Sequence, residues 1–191
     1  MKYIDKIHIH THEVKQSKFI AYLVPFSEFT TILEELKNSH PKARHFVVAY
    51  RYLNEFNQIV EHSNDDGEPK GTSGKPSLFV LQGLEMINSG VIIVRYFGGT
   101  KLGTGGLVRA YSDSVNLVLN SASLVEYKQD TSVTISFEYS NIRMVEYECS
   151  ACGVDIVEKS FDTGTIYKIK GIESNMKLFL EKMDRLVKIV E

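Results

Sequence analysis

The chain has 191 residues, 43% hydrophobic and 24% charged, enough to bury the core of one large or two small domains. A formal net charge of −2 excludes a generally basic nucleic-acid coat, so any such binding has to come from a local patch. No apolar run reaches the roughly 20 residues that span a bilayer, nothing resembles a signal peptide, and two cysteines make no disulfide framework; together these predict a cytoplasmic protein.

Up to Leu124 there are 13 basic and 12 acidic residues and all six histidines, against 9 and 12 from Val125 onward. The more cationic, more titratable surface therefore lies in the first part. There, Ile4–Ile9 and Phe19–Val24 predict two strands of a hairpin. His8, His10 and His12 alternate and would share one face of the first strand. That spacing suits a metal, but with no fixed acidic partner the polar face of a half-buried edge strand is favoured. Phe26, Phe29, Ile32, Leu33 and Leu36 recur at helical spacing, with Ser27 as N-cap and His40-Pro41 as the stop, predicting a helix over 27–39. Two strands, Phe46–Tyr50 and Gln58–Val60, come next, and the expectation is a sheet with helices on one side.

Residues 61–76 contain no large apolar side chain and predict a long loop, a length that tends to be functional. Asp65, Asp66 and Glu68 within it suit either a hard cation or a general base, or else a solvated turn that caps its own backbone. Pro76 then opens a predicted helix that ends near Ser89-Gly90. Val91–Tyr96 reads as a buried strand, and a helix from about Thr104 to Ser121 turns Tyr111, Val115 and Val118 inward and leaves Arg109 outside.

Between that strand and helix, Arg95–Tyr111 holds five glycines, three cations and no acid. Glycines let a ligand approach the backbone, and a helix start presents free N–H groups with partial positive charge, so the expected guest is an anion. The candidate binding residues are Arg95, Gly98, Gly99, Lys101, Gly103, Gly105, Gly106 and Arg109. His45, Asp65, Asp66, Glu68, Thr72 and Lys75 form a candidate second wall. The competing reading is that the glycines only allow this turn to pack on the 61–76 loop. Nucleotide loops do not fit: the Walker pattern has Pro69 where glycine is required and Pro76 after Lys75, and the dinucleotide pattern ends on Val108. The sequence asks for no cofactor, no metal and no catalytic residue.

After a linking strand at Leu124–Tyr127, the pattern runs strand Val133–Phe137, helix Asn141–Cys152, strand Val154–Ser160, turn Asp162-Thr163-Gly164, strand Ile166–Ile169, helix Ser174–Arg185 and strand Val187–Val190. This is the βαββαβ order of ferredoxin-like domains. It predicts an α+β chain of two domains, 1–127 and 128–191. Cys149-Ser150-Ala151-Cys152 matches C-x-x-C, but at a helix C-terminus and without further ligands it reads as core packing rather than redox or zinc chemistry.

Arg95–Tyr111 resembles the signature of the IMPACT family in its bacterial, YigZ-type form. Ser17–Ala21, Ala43-Arg44-His45, Asp65–Pro69 and Gly71–Pro76 resemble that family's other blocks in the same order, so the likeness covers residues 16–123. It implies an N-terminal domain like domain IV of elongation factor G and a C-terminal domain like its domain V, both types that work on the ribosome. The eukaryotic member regulates translation by competing for an activator of the kinase that senses amino-acid starvation; bacteria lack that pathway, so this role does not transfer. The resemblance carries no catalytic residues. Phe46-Val47-Val48 after His45, where many relatives have a polar residue or cysteine, argues against thiol chemistry there.

The leading expectation is a non-enzymatic, translation-associated regulatory or stress-response protein. It would bind RNA, the ribosome or a protein partner through the glycine-rich cationic surface. The alternative is a hydrolase or phosphatase acting on a small anionic substrate, with Asp65, Asp66 or Glu68 as metal ligand or base and His45 as general acid.

Overall fold

Along the first part of the chain the elements are β1 (Lys2–Tyr3), β2 (His8–Val14), β3 (Ser17–Pro25), α1 (Phe29–Ser39), β4 (His45–Leu53), β5 (Ile59–Asn64), α2 (Gly74–Gly83), β6 (Ser89–Tyr96), α3 (Gly103–Ser121) and β7 (Val125–Glu126). They come from a computed structural model that describes residues 1–161 and 164–190. The chain divides into two units, Met1–Tyr127 and Lys128–Glu191.

The first unit is built on an antiparallel sheet of order β2-β3-β6-β4-β5. Its central strands are apolar on both faces, and both faces are covered, contrary to the one-sided sheet expected. Phe19, Ala21, Leu23, Val47, Ala49, Val91 and Ile93 pack with Leu81 of α2 and Leu107, Tyr111, Val115 and Val118 of α3. Ile20, Val24, Val48, Ile92 and Val94 pack with Phe29 and Leu36 of α1. The near-continuous apolar runs of β3 and β6 are the sequence sign of this, since a strand covered on one side only would alternate.

Several expected boundaries move. Ile4–Ile9 is not one strand: β1 pairs with β7, and β2 starts at His8. Ser27 lies in a short 3₁₀ turn, Phe26–Glu28, and does not cap α1. The loop is shorter than predicted, because β5 runs to Asn64 and α2 starts at Gly74, with Pro76 inside its first turn. α2 stops at Gly83; Glu85 and Asn88 then adopt left-handed φ of 52° and 49°, which breaks the helix before β6.

The second unit runs β8 (Asp130–Phe137), α4 (Ile142–Cys152), β9 (Asp155–Ser160), β10 (Thr165–Ile172), α5 (Glu173–Lys182) and β11 (Val187–Val190), with sheet order β11-β8-β10-β9. That is the split βαβ topology. Val145, Cys149 and Cys152 of α4 and Met176 and Phe179 of α5 share one core with Ile135, Phe137, Tyr167 and Ile169. Gly153 closes α4 in the left-handed conformation at φ 66°. The turn expected at Asp162-Thr163-Gly164 falls partly on residues outside the described ones.

Candidate functional site

The central strand β6 ends at Tyr96, just before Phe97, and one close approach fixes the path of the glycine turn beyond it. A Cβ on Gly98 would collide with the backbone of Gln16, and the Gly98 N–H donates to Ser17 Oγ at 3.1 Å. Gln16 belongs to the two-residue β2–β3 turn, where Lys15 and Gln16 both hold left-handed φ, 45° and 64°. This is the primed-turn geometry that matches strand twist, here made without glycine or asparagine. At Gly98 the glycine turn is thus docked on the hairpin.

The rest of the stretch is open. Gly99 and Gly103 need their positive φ, 86° and 75°, but a Cβ on Gly99, Gly103 or Gly105 would meet nothing within 4 Å among the described residues. α3 begins with no side-chain cap and no acid in its first turn. Its first amides therefore face outward with the partial positive charge of a helix start. Lys101 and Arg109 are exposed beside them. The ion pairs of this unit involve the N-terminus, His45, Arg51 and Arg95; Lys101 and Arg109 take part in none among the described residues. Phe97, not anticipated from sequence, is 49% exposed at the mouth of the turn, with the Arg95 guanidinium carbon 5.8 Å from its ring centre.

Arg95 itself has to be withdrawn from the exposed set. It is buried and paired with Glu68, whose side chain is only 3% exposed. The Tyr111 hydroxyl donates to the same Glu68 oxygen at 2.8 Å. Burial, followed by the Glu68 charge, holds the Tyr111 proton far above the usual phenol range. Glu68 reaches this place through a turn in which its N–H bonds the Asp65 carbonyl and Asp66 and Gly67 take left-handed φ of 44° and 82°. His45 Nδ1 donates to the Asp66 carbonyl at 2.7 Å, and its Nε2 stands 3.9 Å from Glu68. One Asp66 carboxylate oxygen accepts the Phe46 N–H at 2.6 Å.

Asp65 is also committed. Its carboxylate accepts from the N–H groups of Gly71, Ser73 and Gly74 and from Ser73 Oγ at 2.7–3.1 Å, closing the start of α2. Burial opposes its ionisation, but the Ser73 hydroxyl and these amides outweigh that and hold its carboxyl below the ordinary range. Thr72 is buried and donates to the Pro69 carbonyl, whereas Lys75 is exposed beside a groove between α2 and α3. The predicted second wall is therefore a brace: Glu68 ties the loop to β6 and α3, and Asp65 ties it to α2. The acids of the hydrolase reading are the groups that make these ties.

His8, His10 and His12 share one half-buried face of β2, the polar face expected of an edge strand; it lies on the α3 side, and Ile9 on the other face is 57% exposed. The described residues contain no grouping of three or more histidine, cysteine, aspartate or glutamate side chains placed to hold a metal. Cys149 and Cys152 are buried; burial first, then the neighbouring Cys152 and Glu146, pushes the Cys149 thiol up to about 11. No described helix is long and apolar enough to cross a membrane.

These features define a two-unit protein of mixed helices and strands whose helix-sandwiched antiparallel sheet ends in a braced glycine turn opening onto an uncapped helix. The Impact N-terminal domain matches residues 15–119, and an IMPACT family member of Haemophilus influenzae is 35% identical over 90% of this chain and 84% of its own length. The chain belongs to the IMPACT family. The IMPACT family member YigZ of Escherichia coli K12 is 32% identical over 82% of this chain and 78% of its own. A solved structure described only as a hypothetical protein matches with TM-score 0.70 at 28% identity, covering 100% of this chain and 97% of the other.

Proposed function

We propose that the protein is a translation-associated regulatory factor that binds RNA through the glycine turn, Phe97, Lys101, Arg109 and the first turn of α3. The observation that carries this reading is Gly105. It sits in a helix, where glycine costs about 1 kcal/mol relative to alanine. It has no left-handed φ, and an added Cβ would touch nothing among the described residues. Packing does not ask for this glycine, whereas a phosphate backbone lying against the helix start would. Exposed Lys101 and Arg109, in no ion pair among the described residues, supply the charge, and Phe97 supplies a face on which a base can stack. Family membership, with the likeness to domains IV and V of elongation factor G that the sequence blocks imply, supports the translational setting.

Salt-dependent binding of a single-stranded RNA and of ribosomes is the expected behaviour. Lys101→Glu with Arg109→Glu should lower affinity for both, and unchanged affinity would reject the reading. The hydrolase alternative receives less support, because Asp65 and Glu68 are held by hydrogen bonds and an ion pair within the protein.

A further inference from the structure

Beside the glycine turn lies a cleft of about 320 Å³, framed by His12, Val14 and Lys15 on the β2 side and Leu102, Arg109 and Asp113 on the α3 side. We propose that it binds the phosphate and ribose of a single ribonucleotide, with Lys15 and Arg109 on the phosphate and Asp113 on the sugar hydroxyls. The proposal rests on the RNA reading above and names the part of the strand that is held.

Lys15 is presented by strain, since it and Gln16 hold left-handed φ without being glycine, and the docking of Gly98 keeps them there. Such strain, maintained by surrounding packing, is typical of ligand clamps. Asp113 narrows the class of ligand. A bare anion would gain from Lys15 and Arg109 and lose to Asp113, whereas a ligand with hydroxyl donors beyond its phosphate satisfies both, as carboxylates do for ribose in dinucleotide sites. Val14 and Leu102 give an apolar wall for the carbon face of the sugar. The volume is at the small end for ligand pockets and matches one nucleotide, not a duplex.

The same chemistry is supplied by a free mononucleotide or by the 5′ end of an RNA strand, and the test separates them. Affinities of the full chain would be measured for uridine 5′-monophosphate, its 2′-deoxy analogue, and an RNA tetranucleotide with either a 5′-phosphate or a 5′-hydroxyl. The phosphorylated tetranucleotide should bind about tenfold tighter than the hydroxyl form, the scale of one or two charge-assisted hydrogen bonds. Lys15→Asn, which keeps a residue tolerant of left-handed φ, should erase that preference. Asp113→Asn should erase the preference for ribose over deoxyribose. Mononucleotide binding as tight as that of the phosphorylated strand would support the site with a free nucleotide as its source; tighter binding of the strand would support it with the strand end. Equal binding of the two strands with no mononucleotide binding, or a phosphate preference that survives Lys15→Asn, would overturn the proposal. The RNA reading fails separately, if Lys101→Glu, which lies outside the cleft, leaves total RNA affinity unchanged.

Discussion

Two cationic groups six positions apart in the sequence, Arg95 and Lys101, meet opposite fates. Arg95 is buried against Glu68 and Tyr111, and its charge is neutralised inside the protein. Lys101 stands in solvent beside glycines whose added side chains would touch nothing among the described residues. The first region is a brace that fixes where β6 ends and α3 lies, and the second is a surface that the brace holds in place. A residue's membership in a glycine-rich motif therefore says little about its job until its burial is known.

Breaking the brace should have the largest effect on stability. Glu68→Ala strands the Arg95 charge in the interior and should cost about 3–5 kcal/mol by urea unfolding, the scale of removing one partner of a buried pair. Tyr111→Phe, which removes only one hydrogen bond to the same carboxylate, should cost about 1–2 kcal/mol. If Glu68→Ala cost less than Tyr111→Phe, the ion pair would not be the centre of the brace.

The glycines sharpen the contrast within a single motif. Gly98→Ala pushes a methyl into the Gln16 backbone and should destabilise by about 3 kcal/mol. Gly105→Ala should instead stabilise by roughly 0.5–1 kcal/mol, because it lowers the entropy of the unfolded chain at no steric cost. On the proposed reading the same substitution weakens RNA binding. A stabilised variant with unchanged RNA affinity would remove the main support for contact at the helix start.

Acid should reveal a smaller effect at α2. The folded-state pKa of Asp65 lies below its ordinary 3.8, so its carboxylate contributes stability that is present above the unfolded value. That contribution is lost as pH falls from there through the folded pKa. Asp65→Asn should therefore flatten the acid limb of the stability curve below about pH 4 and leave its slope near neutrality unchanged; an unaltered acid limb would contradict the capping role.

Much of this architecture is legible in the sequence because it depends on local patterns. The stripe Tyr111, Val115 and Val118 and the buried strand Val91–Val94 are set by periodicity and apolar runs, and all are fully buried. The site is less legible because it depends on pairings between distant residues. Nothing local to Glu68 says that it meets Arg95 and Tyr111, 27 and 43 positions away. Nothing in Lys15-Gln16 signals a left-handed turn, since both residues usually avoid it. The half-buried histidine face of β2 is legible from alternation, but that α3 covers it is not. Alternation predicts that one face is buried, but here α3 covers the polar face of β2 and leaves Ile9 outside. Phe97 does carry a local signal, as a large apolar residue between the strand and the glycines, where the chain leaves the core.

The most direct test of the central claim is the salt dependence of single-stranded RNA binding, comparing the unchanged protein with the Lys101→Glu, Arg109→Glu double variant. Losing two phosphate contacts should lower affinity and reduce the slope of log K against log salt by about 1.4, since each phosphate contributes roughly 0.7. Equal affinities and equal slopes for the two proteins would contradict an RNA-binding surface at the glycine turn.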